Sequence, residues 1–240
     1  MPVGRVVMVT GAAGAWGGRV AGALAATPGL QVLGIDARPR ESIAPGQDFV
    51  RADVRNPLLA ELLQDERVDT VVHLAFQESD RPDEQAFEAN VTGTARLLGA
   101  CAAAGVRLAV IASSTLAYGA RPDNSAFLSE EHGLNGSQSW GTARDLAARE
   151  AACRAFAASA PGPRLAVLRF AHLVGPGADS PLGRFLAEPW APALLGFDPM
   201  MQVLDEEDAA AALVHAVVNE AAGPYNIAAE GSLPLSQVMA

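Results

Sequence analysis

Lysine is absent from the 240 residues, and all 17 basic side chains are arginine. Arginine stays protonated, so no side-chain amine is available to relay a proton. Phenols are nearly absent as well, with Tyr118 and Tyr225 the only two. Two cysteines, Cys101 and Cys153, lie in alanine-rich helical stretches. Two cannot form a disulfide framework and their spacing suits no metal, so they read as small buried core residues and no metal site is expected. No apolar run reaches ~18 residues, so neither a transmembrane helix nor a membrane partner is expected. A strand begins almost at the N-terminus, leaving no room for a signal peptide, and a cytoplasmic location follows as the default. Basic charge is in deficit, 17 Arg against 27 Asp and Glu, for a net −10. A nucleic-acid groove would need a basic face, so no nucleic-acid partner is expected.

What remains is globular. Half the residues are apolar and 18% are charged, a balance that can fill a core. The length suits one α/β domain with a small appended lobe. The wealth of Ala, Gly, Arg and Pro beside the missing lysine looks like a GC-rich coding bias and carries no chemistry.

The most informative stretch is Val6 to Gly17, VVMVTGAAGAWG. An apolar run feeds into Gly11, Gly14 and Gly17, then into a helix over about Trp16–Ala26. Gly11 permits the tight turn, Gly14 lets the backbone approach a pyrophosphate, and Gly17 lets helix and strand pack closely. The helix N-terminus presents its amides to the anion. Asp36 closes the next apolar run, 19 residues beyond Gly17, where a carboxylate can accept both hydroxyls of an adenosine ribose.

Strand-like runs recur at Val6–Val9, Gln31–Ile35, Asp48–Asp53, Thr70–Leu74, Leu108–Ala112 and Arg164–Leu168. Helical stretches lie between them at about Trp16–Ala26, Pro57–Gln64, Asp83–Ala104 and Thr142–Ala160. This alternation predicts a doubly wound parallel sheet, Rossmann-like, covered on both faces. A dinucleotide-binding part is expected over residues 1–168 and a small lobe over 169–240, packed as a single unit. Residues 176–200 read as a long irregular segment. Beyond it a short run, Gln202–Leu204, precedes acidic residues 205–208 and a helix over Ala209–Asn219. Acidic side chains there complement the helix dipole. Pro224–Ala228 reads as a last strand and Leu233–Ala240 as the start of a helix.

The order of these signals resembles the extended short-chain dehydrogenase/reductase family, the nucleotide-sugar epimerases and dehydratases. Thr10 to Gly17 resembles the family's cofactor loop, with Ala13, Ala15 and Trp16 among its glycines. Asp36 looks like its ribose-binding acid, and Asp53 and Val54 resemble the segment that touches the adenine. Val72 to Ala75 resembles the strand end beneath the cofactor, which places Leu74 and Ala75 there; Asn90 to Thr94 is similar to the helix signature whose Asn braces the central strands. Ala112 to Gly119 resembles the strand carrying the active-site hydroxyl, here Ser114; Leu168 to Gly177 resembles the passage into the substrate lobe. The resemblance implies NAD as cofactor, since the Asp36 carboxylate would repel a 2′-phosphate, although Arg38 and Arg40 lie close by. It also implies a small-molecule substrate and a homodimer through the helices near 83–104 and 142–160. His73 reads as a satisfied core histidine.

One departure is chemical. In this family a Tyr and a Lys four residues apart on one helical face share the acid–base work. Residues 137–144 read SQSWGTAR, placing Trp140 where Tyr is expected and Arg144 where Lys is expected. An indole N–H only donates, and Arg cannot relay a proton, although it can still bond a ribose or phosphate. The expected catalytic positions are therefore Ser114, Trp140 and Arg144, with Ser114 and His172 toward the substrate, and His132 and His172 as substitute proton carriers. Family members continue further in length, so a substrate lobe partly absent or completed by a neighbouring subunit is expected. Two readings remain: an epimerase- or dehydratase-like oxidoreductase with an atypical acid–base site, and a catalytically inactive NAD-binding sensor or assembly partner.

Overall fold

Seven apolar runs pair into one parallel sheet. The computed structural model describes residues 4–40, 46–159, 161–176, 180–190 and 195–239. The strands are β1 (Arg5–Thr10), β2 (Leu30–Asp36), β3 (Gln47–Arg51), β4 (Val68–His73), β5 (Leu108–Ser114) and β6 (Arg164–Phe170), with three short ones between β6 and β10 (Gly223–Ile227). Their order is β10-β6-β5-β4-β1-β2-β3, and every pairing in it is parallel. Alternate residues of β1 enter opposite layers. Val7 and Val9 join α1 (Ala15–Ala25) and α7 (Glu206–Val218), while Met8 joins α2 (Leu59–Asp65) and α4 (Gly93–Ala104). Helix α5 (Gly141–Ser159) packs beside α4 and brings Cys153 into the core. The chain runs from β1 out to β3 and then returns to β4 on the other side of β1. That reversal opens a crevice at the carboxyl ends of the strands, where ligands of such sheets bind.

Several boundaries differ from expectation for local reasons. The helix expected over Asp83–Ala104 is divided into α3 (Glu84–Phe87), a π-helical turn (Glu88–Thr92) and α4. Asn90 sits in that turn, and π turns of this kind gather at functional positions. The strand expected to reach Asp53 stops at Arg51, because the Asp53 carboxylate accepts the Arg55 amide at 2.8 Å and starts a turn. The irregular segment holds a short helix, α6 (Pro181–Ala187), capped by Ser180, whose hydroxyl accepts the Gly183 amide at 2.9 Å. Helix α7 begins three residues early because Asp205 caps it, accepting the Glu207 amide at 2.7 Å. The C-terminal helix is only a turn, α8 (Leu235–Val238). Ala160, Gly177 and Ala240 lie outside the described residues.

The division expected after residue 168 falls inside β6. Beyond it, β7 (His172–Val174) pairs with β9 (Val203–Asp205), and β8 (Met200–Met201) with β11 (Leu233–Pro234). β10 then rejoins the main sheet beside β6. Cys101 and Cys153 are buried and unpaired, and burial pushes their thiols up to about 12 and about 11. Among the described residues, no helix is long and apolar enough to cross a membrane, and no group of three or more His, Cys, Asp or Glu could hold a metal ion.

Candidate functional site

The crevice is a cleft of about 960 Å³ whose near wall is the glycine loop. Gly11 adopts φ 74°, a left-handed conformation suited to glycine, and a Cβ there would press on the Ala75 backbone at 3.0 Å. A Cβ on Gly17 would overlap the Gly11 carbonyl oxygen, so only glycine lets α1 start against the loop. Among the described residues, no side chain caps the start of α1. Its first amides therefore remain available to an anion. Trp16 forms the next part of the wall, edge-on to Phe170 with ring centroids 6.1 Å apart.

The cleft floor is the end of β4, and a closed chain of hydrogen bonds fixes it. Thr10 Oγ1 accepts from the Leu74 and Ala75 amides at 3.1 and 3.2 Å and contacts His73 Nδ1 at 2.7 Å. His73 Nε2 lies 2.9 Å from Thr94 Oγ1, whose own proton goes to the Asn90 carbonyl at 2.6 Å. One assignment satisfies all of them: the Thr10 hydroxyl donates to Nδ1, and Nε2–H donates to Thr94. Burial and the neighbouring Arg149 guanidinium hold the His73 pKa well below its ordinary 6.5, keeping the ring neutral. His73 is a satisfied core residue. Asn90 grips the loop after β4, accepting the Gln77 amide at 2.7 Å and donating to the Gln77 carbonyl at 2.8 Å.

At one end of the cleft the Asp36 carboxylate is fully engaged. Oδ1 accepts from the Arg38 amide at 2.9 Å and Arg38 Nε at 3.3 Å, and Oδ2 from the Ala13 amide at 3.1 Å and an Arg38 terminal nitrogen at 3.3 Å. Asp53 and Val54 form the adjoining wall. The Asp53 carboxyl lies below its ordinary value because the Arg55 side chain bonds it.

At the other end stand β5, α5 and the segment after β6. Ser114 lines the cleft and caps the turn Thr115–Tyr118, its oxygen accepting the Leu116 amide at 3.3 Å. Ser113 donates to the buried Glu150 carboxylate at 2.5 Å. Arg169 forks onto that carboxylate at 2.8 and 3.0 Å and donates to Tyr118 Oη at 2.7 Å. Helix α5 faces the cleft with Thr142 and Leu146. The Thr142 hydroxyl is committed to the loop after β4, accepting the Ser79 amide at 2.9 Å and donating to the Ser79 carbonyl at 3.2 Å. His172, Ser180 and Arg184 complete the far wall, where Arg184 pairs with Glu78. Burial lowers the His172 pKa below 6.5.

The sequence matches the NAD dependent epimerase/dehydratase family over residues 7–228. The chain belongs to that family. An uncharacterized protein of Mycobacterium tuberculosis is 36% identical over 249 residues, covering 98% of this chain, and the chain spans 65% of that relative's length. A UDP-glucose 4-epimerase of Azospirillum brasilense is 30% identical over 216 residues, 82% of this chain and 59% of that protein. Among solved structures, MoeE5 in complex with UDP-glucuronic acid and NAD superposes with a TM-score of 0.79 at 26% identity, covering 97% of this chain and 79% of that one. A short-chain dehydrogenase/reductase superfamily protein from Agrobacterium tumefaciens with bound NAD gives 0.81 at 25% identity, covering 98% and 81%.

Of the positions expected from the family pattern, the cleft wall holds Gly11, Gly14, Ala15, Trp16, Gly17, Asp36, Asp53, Val54, Leu74, Ala75, Asn90, Ser114 and His172. Ala13 is outside that wall and serves through its amide, which orients Asp36. Trp140 and Arg144 are outside it as well. Trp140 ends the preceding loop, and Arg144 donates to Asp145 at 2.8 Å and to the Asp83 carbonyl at 3.1 Å while lying 4.9 Å from the Phe87 ring centroid. The cleft-facing pair with four-residue spacing is Thr142 and Leu146. Gly141 sets this register, since a Cβ there would overlap Ser79 and the Arg81 carbonyl. The sequence held a signal for this register: Leu146 and Cys153 mark the inward face of α5, and Arg144 lies about 200° around the helix from Leu146. His132 lies outside the cleft wall, edge-on to Tyr118 at 6.2 Å. Thr142, Leu146, Phe76, Glu78 and Arg184 are wall residues that motif reading missed.

Proposed function

We propose that this chain binds NAD in the cleft and acts as an epimerase- or dehydratase-like oxidoreductase on a small or sugar-like substrate. The observation that carries the reading is one continuous cleft joining Gly11, Gly14 and Gly17 to Asp36 at one end and to Ser114 and His172 at the other. The fit of a dinucleotide rests on the glycine cradle, which a Cβ at Gly11 or Gly17 would fill. The uncapped start of α1 would hold the pyrophosphate, Asp36 the adenosine ribose, and Asp53 with Val54 the adenine side. When bound, NAD supplies a hydride acceptor.

The chain's own residues set what else can happen. Ser114 offers a hydroxyl to a substrate oxygen. His172, held neutral by burial, is the proton carrier of the far wall. The Ser113–Glu150–Arg169 linkage holds the end of β5 against α5 and keeps Ser114 in place. Because the His172 pKa is lowered, turnover through it would persist as pH falls through 6.5 and fail only further down. The test incubates the protein and NAD with a panel of polyols, hydroxy acids and nucleotide sugars, reads both NADH formation and epimerised or dehydrated product by chromatography, and is repeated on Ser114→Ala and His172→Gln. Loss of turnover in both variants supports the reading. Turnover unchanged in both refutes it.

A second reading is favoured by one observation. Thr142 and Leu146, the α5 side chains at the cleft, do not titrate, and the Thr142 hydroxyl is already committed to Ser79. On this reading the chain binds NAD without turnover and serves as a sensor or assembly partner. NAD binding with no product across the panel selects it. We further propose a homodimer through α4 and α5, whose exposed faces carry the small residues Ala95, Gly99, Ala103, Ala151 and Ala155. A monomer mass by size-exclusion chromatography with light scattering would refute the dimer.

A further inference from the structure

We propose that the buried guanidinium of Arg149 makes the cleft hold a reduced nicotinamide dinucleotide more tightly than the oxidised one. The inference rests on the dinucleotide reading of the cleft. Arg149 is on α5, three residues past the wall residue Leu146 and so on the same face of the helix. It is 1% exposed. One terminal nitrogen donates to the His73 carbonyl at 3.3 Å. Among the described residues, Nε has no hydrogen-bond partner and no carboxylate pairs with the group. His73 ends β4, and Leu74, Ala75 and Phe76 directly after it line the cleft. The Phe76 ring centroid is 5.7 Å from the guanidinium carbon. The charge therefore lies one layer beneath the cleft floor.

A buried cation without a carboxylate is costly, because no partner repays its lost hydration. Its charged neighbours do not cancel it. Glu150 carries the Arg169 fork at 2.8 and 3.0 Å, and Asp145, one turn back on α5, carries Arg144 at 2.8 Å. Burial lowers the Arg149 pKa to about 10, which leaves the group charged at neutral pH, and His73 beside it is neutral. On the adjoining wall Glu78 pairs with Arg184, and Asp80 is exposed, where solvent and salt screen it. One positive charge thus remains under the floor. With adenosine at Asp36 and pyrophosphate at α1, the nicotinamide half is left the stretch of cleft toward Ser114 and Leu146. The oxidised ring is a cation and the reduced ring is neutral, while the rest of the dinucleotide carries the same charge in both. Arg149 therefore repels one form and spares the other. For charges about 8–12 Å apart in an effective dielectric of about 20, that repulsion weakens an affinity about tenfold to thirtyfold.

The test is calorimetric titration of NAD and NADH into the wild type, Arg149→Met and Arg149→Lys. The wild type should bind NADH about tenfold to thirtyfold more tightly than NAD. Arg149→Met, close in length and uncharged, should bring the two affinities together by tightening NAD while NADH stays as it was. Its melting temperature should equal or exceed that of the wild type, since an apolar side chain replaces an unpaired buried charge. Arg149→Lys keeps the charge and should keep the preference. Arg149→Gln carries the same expectation for binding as Arg149→Met and replaces it if that variant does not fold. A neutral variant that keeps the wild-type ratio of affinities, or that weakens both forms alike, overturns the inference and leaves the cleft reading intact, as does a wild type that binds both forms equally. Wild type that binds neither overturns both.

Discussion

The two ends of the cleft are built in different ways. The adenosine end is defined by backbone: glycines that allow close approach, helix amides, and one carboxylate at the end of β2. The substrate end is defined by side chains on three separate elements, β5, α5 and the segment after β6. A backbone site tolerates almost no change, because a single Cβ destroys it. A side-chain site can lose its titrating groups while the fold stands, and here α5 keeps its place with threonine and leucine at the cleft.

The sharpest way to test that contrast is to place titrating groups on α5 at the cleft. Thr142→Tyr with Leu146→Lys should raise NAD-dependent turnover by about 10² or more, the scale of a general acid–base group, measured as product formed, whether NADH or an epimerised or dehydrated substrate. Trp140→Tyr with Arg144→Lys should raise nothing, because those positions lie outside the cleft wall. Gain in the second pair alone would reverse the register assigned to α5.

At the backbone end, Gly17→Ala should weaken NAD binding by about a hundredfold and cost about 1–3 kcal/mol of stability through overpacking against the Gly11 carbonyl. Titration calorimetry and thermal melting read the two effects. A variant that binds like wild type would mean the loop does not hold the pyrophosphate.

The floor between the two ends responds to pH. Below 6.5 the unfolded chain takes up a proton that folded His73 refuses, so the unfolded state binds more protons and stability falls with acidification. The loss begins as pH drops through 6.5 and runs at up to about 1.4 kcal/mol per pH unit. His172 adds a smaller loss of the same sign. Melting curves between about pH 7 and pH 5 should show the slope, and His73→Asn should flatten most of it. The smallest effect belongs to Gly22, also in α1, where a Cβ would find only an ordinary contact at 3.7 Å. Gly22→Ala should stabilise by about 0.5–1 kcal/mol and leave NAD binding unchanged.

The same contrast explains what the sequence could tell. The strands of the sheet were legible because they are continuously apolar and buried on both faces, as Val7, Met8 and Val9 show. The glycine loop and Asp36 were legible because spacing alone defines them. The π turn at Asn90 was not, since it depends on how α4 meets the loop after β4. Neither was the register of α5. The family resemblance placed Trp140 and Arg144 where Tyr and Lys are expected, whereas Gly141 against Arg81 and Thr142 against Ser79 place the helix in space. The Arg38 clasp on Asp36 needed coordinates as well, because adjacency in sequence shows a nearby cation and not a carboxylate with every acceptor filled.

Titration calorimetry of NAD into the wild type and Asp36→Asn decides whether the cleft holds NAD through the glycine loop and Asp36. The wild type should bind in the micromolar range and the variant about tenfold to a hundredfold more weakly. Wild type that takes up no NAD would contradict that reading of the cleft.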